Sequence, residues 1–379
     1  MLTIIAKVSF VMRKHYLDNI RWATVVIVVI YHLFYMYNAE GVLGGLGKIT
    51  DLSFQPYDIF QYFVYPWIMP VLFMVSGISS KLYLDRHTHK EFIRNRTLKL
   101  LVPSTIGLFV FQFIQGYISM SMSDAFTDLK QAGVPIFIRY LIMVASGSGV
   151  LWYMHLLWIY CVVLILITKI EKGRLTAVSA KTPLWLIMLF FFPLWGASQI
   201  LNTPVISVYR FGYYFVYFIL GYFVFSNDEV IEKLKRFAVP FIVIAVALCT
   251  IFSVKYFILD GGLNYADKPI NRNPLFVACG YIPSMAILGG AARYGDIKNG
   301  FTSWMTSKSF GLYVFHYLGI SAVARFVAMP GLLPAPACYI LSLVAGFVLA
   351  YGLYEIISRI PFLRWAVLGI KKEKRDVQG

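Results

Sequence analysis

Two ionisable side chains, Arg21 and His32, stand inside the first long apolar run of the chain, LDNIRWATVVIVVIYHLFYMYN. A guanidinium grips anions through paired N–H donors, and an imidazole exchanges protons near neutral pH. Eleven helical residues bring the chain round to within about 20° of its starting direction and advance it roughly 16 Å. Both side chains therefore share one face of a helix and are expected to look into one cavity, the cation near one end and the imidazole near mid-membrane. An ionisable group at the centre of a bilayer costs about 2.5–3.5 kcal/mol on the insertion scale, so a polar stripe there points to function. The alternative is that Arg21 reaches back to lipid headgroups while His32 bonds a neighbouring helix.

A second group of candidates lies in KLYLDRHTHKEFIRNRTLKLLVP, residues 81–103, where six Lys or Arg stand against Asp85 and Glu91. Arg94, Arg96 and Lys99 suit a polyphosphorylated ligand, because Arg forks phosphate oxygens and Lys adds a point charge. Charge alone equally suits a topology signal that meets anionic headgroups. Arg96 and Lys99, at i and i+3, share a face at the mouth of an apolar span, and Pro103 follows within the first turn. The preceding stretch YPWIMPVLFMVSGISS carries Pro66 and Pro70 and ends in Ser76, Gly77, Ser79 and Ser80. Small residues let helices approach closely, so packing competes there with a ligand corridor. The remaining polar positions in apolar segments are Trp152, Tyr153, His155, Arg210, His316 and Glu355. Trp152 and Tyr153 fit an interfacial belt. His316 and Glu355 lie where burial is costly, and either bond each other across helices or serve the site.

The elements that must hold these groups follow from composition. Of 379 residues 59% are hydrophobic and 14% charged, which describes an all-α polytopic membrane bundle. About ten segments reach membrane-spanning length: 18–38, 59–82, 100–119, 150–169, 183–200, 206–225, 238–258, 274–292, 304–326 and 336–357. The net charge of +16 does not gather into a nucleic-acid patch, since Lys and Arg fall in alternate loops, 25 on one side and eight on the other. By the positive-inside rule both termini and the 81–99 loop are expected in the cytoplasm. The segment 136–149 is too short to cross and is expected to be interfacial or re-entrant. The polar loop 255–273 connects spans or touches an external substrate. Cys161, Cys249, Cys279 and Cys338 lie in apolar stretches without metal-ligand spacing and are expected to be packing residues. Residues 1–12 lack the features of a signal peptide and are expected to be an extension before a true initiator at Met12. Residues 13–370 form one transmembrane domain, and 371–379 a charged cytoplasmic tail.

In these motifs the chain resembles the acyltransferase family 3 membrane proteins, which include glycan O-acetyltransferases. The carrying features, in order, are LDNIR at 17–21, the Arg21–His32 pair, FMVSGISS at 73–80, IRNRTLKLLVP at 93–103, LWYMHLLWIY at 151–160 and FGLYVFHY at 310–317. One departure is Lys99, which stands where the family has the second arginine of Arg-x-x-Arg and loses the bidentate fork. Another is Glu355, which aligns only loosely with the family's acidic residue near the last span. The resemblance implies transfer of an acyl group, commonly acetyl, from cytoplasmic acyl-CoA as cosubstrate, with no bound cofactor or metal, to a hydroxyl of a glycan or similar acceptor presented across the cell membrane. On that reading His32 is the general base and Arg21 either helps bind the donor or places charge near the reaction. Arg94, Arg96 and Lys99 hold the CoA phosphates, and Asp18 orients Arg21. Ser76, Trp152, Tyr153, His316 and Glu355 support or line the site. A secondary transporter or polysaccharide exporter of the same topology, and a non-catalytic assembly factor, remain as other classes.

Overall fold

The computed structural model describes residues 14–41, 44–202, 209–262 and 265–371, all in helices and connecting turns. Among the described residues, eight helices are long and apolar enough to cross a membrane. They are α1 (His15–Met36), α2 (Pro56–Leu84), α3 (His89–Ser121), α5 (Gly149–Glu171), α8 (Ala238–Leu259), α9 (Pro274–Tyr294), α10 (Gly300–Ala328) and α11 (Ala335–Arg359). Three apolar helices are shorter: α4 (Ile136–Ser146), α6 (Leu184–Gln199) and α7 (Phe211–Phe223). A last short helix, α12 (Pro361–Leu368), follows α11.

The fifth and sixth expected spans are thus present as α6 and α7, below spanning length. The backbone of α6 turns at Phe190, three residues before Pro193, whose missing N–H and bulky ring work against helix continuation. Helix α7 begins only after Arg210, and the first residues of the expected segment, 206–208, lie outside the described residues. The segment expected to be too short to cross is the 11-residue α4. Outside the described residues fall the extension 1–12 and residues 372–379 of the tail.

Burial sorts the helices into centre and rim. In α2 and α10, 72% of the most apolar window is buried, against 22% in α11. Lipid is as apolar as leucine, so what holds such helices together is close packing rather than transfer from water. Helices α2 and α7 show how. A Cβ at Gly77 of α2 would overlap the Phe218 carbonyl, and one at Gly221 of α7 would overlap the Met74 carbonyl. The two glycines let the backbones touch in both directions.

Helix α1 lies against α2, α9, α10 and α11 and is anchored at its N-terminal end. Lys14 pairs with Asp228 at 2.5 Å. The Tyr16 amide donates to Asp296 at 2.9 Å, and Asn19 Nδ2 donates to the Gly295 and Ile297 carbonyls at 2.8 Å each. At the other end Asp58 Oδ2 accepts from the Ala39 amide at 3.1 Å. Both ends of the helix that carries Arg21 and His32 are therefore held. Helix α3 is irregular, with π-helical turns at Thr97–Leu101 and Leu108–Gln112. The first widens the helix just before Pro103, where an ordinary turn would meet the ring. The four cysteines are buried and free.

The α2–α7 crossing yields a test. Gly221→Val must push the helices apart, at about 1–3 kcal/mol, whereas Gly352→Val on α11 meets nothing within 4 Å. Thermal unfolding of the purified protein in detergent should show a clearly lowered midpoint for the first variant and little change for the second. Equal midpoints would refute close packing at this crossing.

Candidate active site

The site is built from α1 outward. Arg21 Nη1 donates to Asp18 Oδ1 at 2.9 Å, one turn back on its own helix, and Nη2 donates to Ser79 Oγ of α2. The Arg21 side chain stays 37% exposed, because it lines a cavity of about 760 Å³. That volume is in the range of small-molecule sites. The cavity is lined also by Tyr83, Glu91, Arg94, Lys99, Phe310, Tyr354 and the segment Leu368–Lys371.

Charge in this cavity is strongly one-sided. Arg21, Arg94, Lys99 and Lys371 face a single carboxylate, Glu91, among the lining residues. Glu91 is already engaged in a capping box, accepting from the Thr88 amide at 2.8 Å and the Thr88 hydroxyl at 2.9 Å. Four cations around a concave wall concentrate positive potential there, which suits a polyanion. Arg96 is not on the wall. Its guanidinium lies 5.1 Å from the Phe92 ring centre and 5.8 Å from that of Tyr83, so it braces the base of α3 beside the cavity.

His32 sits eleven residues along α1 and does not line this cavity, so the expectation of one shared cavity holds at Arg21 alone. Its ring faces α10. His32 Nδ1 is 2.9 Å from the Val28 carbonyl and 3.1 Å from His316 Nε2, and His316 is fully buried. The rings of Tyr31, Tyr35 and Tyr317 surround His32 edge-on, with centres 5.2, 5.9 and 5.2 Å away.

A line of polar groups joins the two stations. From Ser79, the partner of Arg21, one turn of α2 leads to Ser76, whose hydroxyl is 2.8 Å from that of Tyr153. The Tyr153 ring meets that of Tyr313 at 6.1 Å, and one turn of α10 leads on to His316. Trp152 turns the other way and packs on Tyr209 and Tyr214. Glu355 meets neither histidine. It pairs with Lys308, eight residues before His316 on α10, and with Arg359 at 3.5 Å. Lys308 and the wall Leu368–Lys371 were not singled out from sequence. No motif spacing marks them, since the fold alone brings the C-terminal segment against α3.

Beyond α1, Glu40 accepts a hydrogen bond from the Tyr62 hydroxyl. Burial pushes the Glu40 carboxyl up to about 7; the Tyr62 bond opposes this, and nearby Asp58 and Asp267 add to it. The fold thus favours the protonated acid. Its stabilising contribution is complete below the ordinary carboxylate value and disappears as pH rises through about 7. Discounted for partial exposure, the loss is about 1–3 kcal/mol. Glu40→Gln should flatten this part of the profile, so its unfolding midpoint in detergent should change less than the parent's between about pH 5 and about pH 8. Identical profiles would remove Glu40 as the source.

Residues 14–355 match the family model described as an acyltransferase domain, that of acyltransferase family 3. No curated protein and no solved structure matches the chain. The match runs from the foot of α1 to Glu355 and takes in every motif described above; the chain belongs to acyltransferase family 3 and is a membrane-embedded acyltransferase.

Proposed function

We propose that the protein moves an acyl group, acetyl by the family's habit, from cytoplasmic acyl-CoA to a hydroxyl of an extracytoplasmic or lipid-linked glycan or similar acceptor, with His32 as general base. The observation that carries this reading is the cavity of about 760 Å³ with Arg21, Arg94, Lys99 and Lys371 on its wall, at the end of the polar line that leads to His32. CoA carries its negative charge at the nucleotide end and its reactive carbon at the tip of a long thin arm. Phosphates held by Arg94 and Lys99 would leave that arm free to run along Arg21, Ser79, Ser76 and Tyr153 toward the histidine. Arg96 supports the wall from behind rather than contacting the donor.

At the tip, His32 takes the proton of the acceptor hydroxyl as the oxygen attacks the thioester carbonyl. The C–S bond then breaks, and the departing thiolate receives the proton from the imidazolium, so that His32 ends as it began. Arg21, held by Asp18 and Ser79, keeps positive charge beside the path of the donor. The geometry requires the basic loop to face the compartment that holds acyl-CoA. We therefore read α6 and α7 as the remaining two of ten membrane passes, with both termini cytoplasmic and the protein in the cell membrane, as the 25-to-eight split of Lys and Arg supports.

Two measurements test this. His32→Ala should insert normally, bind acyl-CoA and transfer nothing, while the double variant Arg94→Ala, Lys99→Ala should weaken acyl-CoA binding by about tenfold or more. Transfer near the parental rate by the first variant would sink the general-base role, and unchanged donor affinity in the second would leave the cavity without its assigned ligand. Orientation is tested in sealed cells with single cysteines in a background free of the four native ones. A probe at Ser53 should react with an impermeant reagent and one at Thr88 should not; labelling of Thr88 would place the basic loop away from cytoplasmic CoA.

A further inference from the structure

The order of donors and acceptors in the histidine pair can be worked out from its surroundings. His316 Nδ1 lies 2.9 Å from the Leu312 carbonyl and 2.9 Å from the Tyr313 carbonyl. Carbonyl oxygens only accept, so Nδ1 carries hydrogen. The ring is fully buried, and among the described residues no carboxylate bonds to it, so a second proton would leave an unpaired charge in an apolar interior. His316 is therefore neutral, and its Nε2 offers a lone pair.

That lone pair points at His32 Nδ1, 3.1 Å away, and the same nitrogen faces the Val28 carbonyl at 2.9 Å. Two acceptors converge on one nitrogen, so His32 Nδ1 carries hydrogen as well. In a neutral imidazole the other nitrogen is then unprotonated. His32 Nε2 makes no hydrogen bond among the described residues, and the three tyrosine rings restrain the ring from turning over.

We propose that His316 is a positioning residue: its Nε2 holds His32 in the tautomer protonated at Nδ1, which leaves His32 Nε2 as the nitrogen that takes the acceptor's proton. When it does, the imidazolium keeps its Nδ1 bond to His316, whose acceptor strength is raised by the two carbonyls behind it. The hydroxyl proton goes to His32 Nε2, the oxygen's electron pair forms the new ester bond, the C–S bond breaks with its electron pair leaving on sulfur, and the proton passes from His32 to that departing CoA sulfur. His316 itself exchanges no proton. This role rests on His32 acting as base, and the experiment separates the two.

The full-length protein in nanodiscs is assayed with acetyl-CoA and with envelope glycan prepared from cells lacking this chain, and kcat and the acetyl-CoA KM are measured for two variants. His316→Gln places an amide oxygen where it can accept from His32, whereas His316→Leu cannot. The leucine variant should lose about 10–100-fold in kcat, with KM changed less than about twofold, and the glutamine variant should recover most of that loss. In histidine-labelled protein, 15N NMR should show His32 protonated at Nδ1 in the parent and in His316→Gln, and a larger share of the Nε2-protonated tautomer in His316→Leu, where only the Val28 carbonyl is left to accept from Nδ1. Parental kcat in the leucine variant would overturn the inference. So would His32 protonated at Nε2 in the parent, which can be read even if both variants fail to fold. If His32→Ala is inactive while His316→Leu keeps its kcat, only the positioning role falls; if His32→Ala keeps its kcat, the base reading falls with it.

Discussion

Holding a cation and a titratable ring inside an apolar helix is the constraint around which this structure is arranged. A polar group taken from water must find partners within the protein or raise the free energy of the fold by several kcal/mol. Arg21 meets the demand with one carboxylate, Asp18, and one hydroxyl, Ser79, and keeps part of its fork open to the cavity. His32 meets it with a backbone carbonyl and a second histidine. Asp18 and the Val28 carbonyl lie on α1 itself, and the two partners from other helices, Ser79 and His316, come from α2 and α10, the most buried of the described spans. The contacts at both ends of α1 fix its position against the neighbouring segments, and with it where each group meets its partners.

The cavity arises from irregularity in α3 and from the segment Leu368–Lys371. A regular helix through Thr97–Leu101 would bring Pro103 against the preceding turn; the π-helical turn relieves that clash and shifts the direction in which Lys99 projects. Gly369, in a left-handed conformation that suits a residue without Cβ, then brings Leu368–Lys371 against the same turn and adds Lys371 to the wall. Positive charge is thus gathered on one wall by backbone features that carry no charge themselves.

These two origins explain what could be read in the sequence. Hydropathy gave the all-helical bundle, because eight apolar runs are long enough to need no further context. The helical period gave the contact between Arg21 and Asp18, which depends only on spacing along one helix. The segment 183–200 is present as the apolar helix α6, interrupted by a turn at Phe190 before Pro193. Spacing does not suffice where a second element decides. Arg96 and Lys99 share a face only on a regular helix, and the wide turn between them sends Lys99 to the cavity and Arg96 onto Phe92. His316 and Glu355 were open candidates for each other; the fold instead gives one to His32 and the other to Lys308, contacts spanning 284 and 47 residues, which no local pattern encodes.

The choice of a histidine to orient a histidine follows from the same constraint. A carboxylate would hold the Nδ1 proton more firmly and would stabilise an imidazolium better, yet it would bring a full negative charge into a buried, apolar interior where it must itself be matched. A neutral imidazole already satisfied at its far nitrogen by two carbonyls gives direction without net charge. On the proposed reading the pair is uncharged at rest, and His32 would carry charge only while it holds the acceptor's proton, before that proton passes to the departing thiolate. Arg21 carries its permanent charge at the other station, where Asp18 balances it and the cavity opens to solvent. On the same proposed reading, separating permanent charge from transient charge along one helix would let a polyanionic donor be gripped at one end while the chemistry proceeds in an apolar setting at the other.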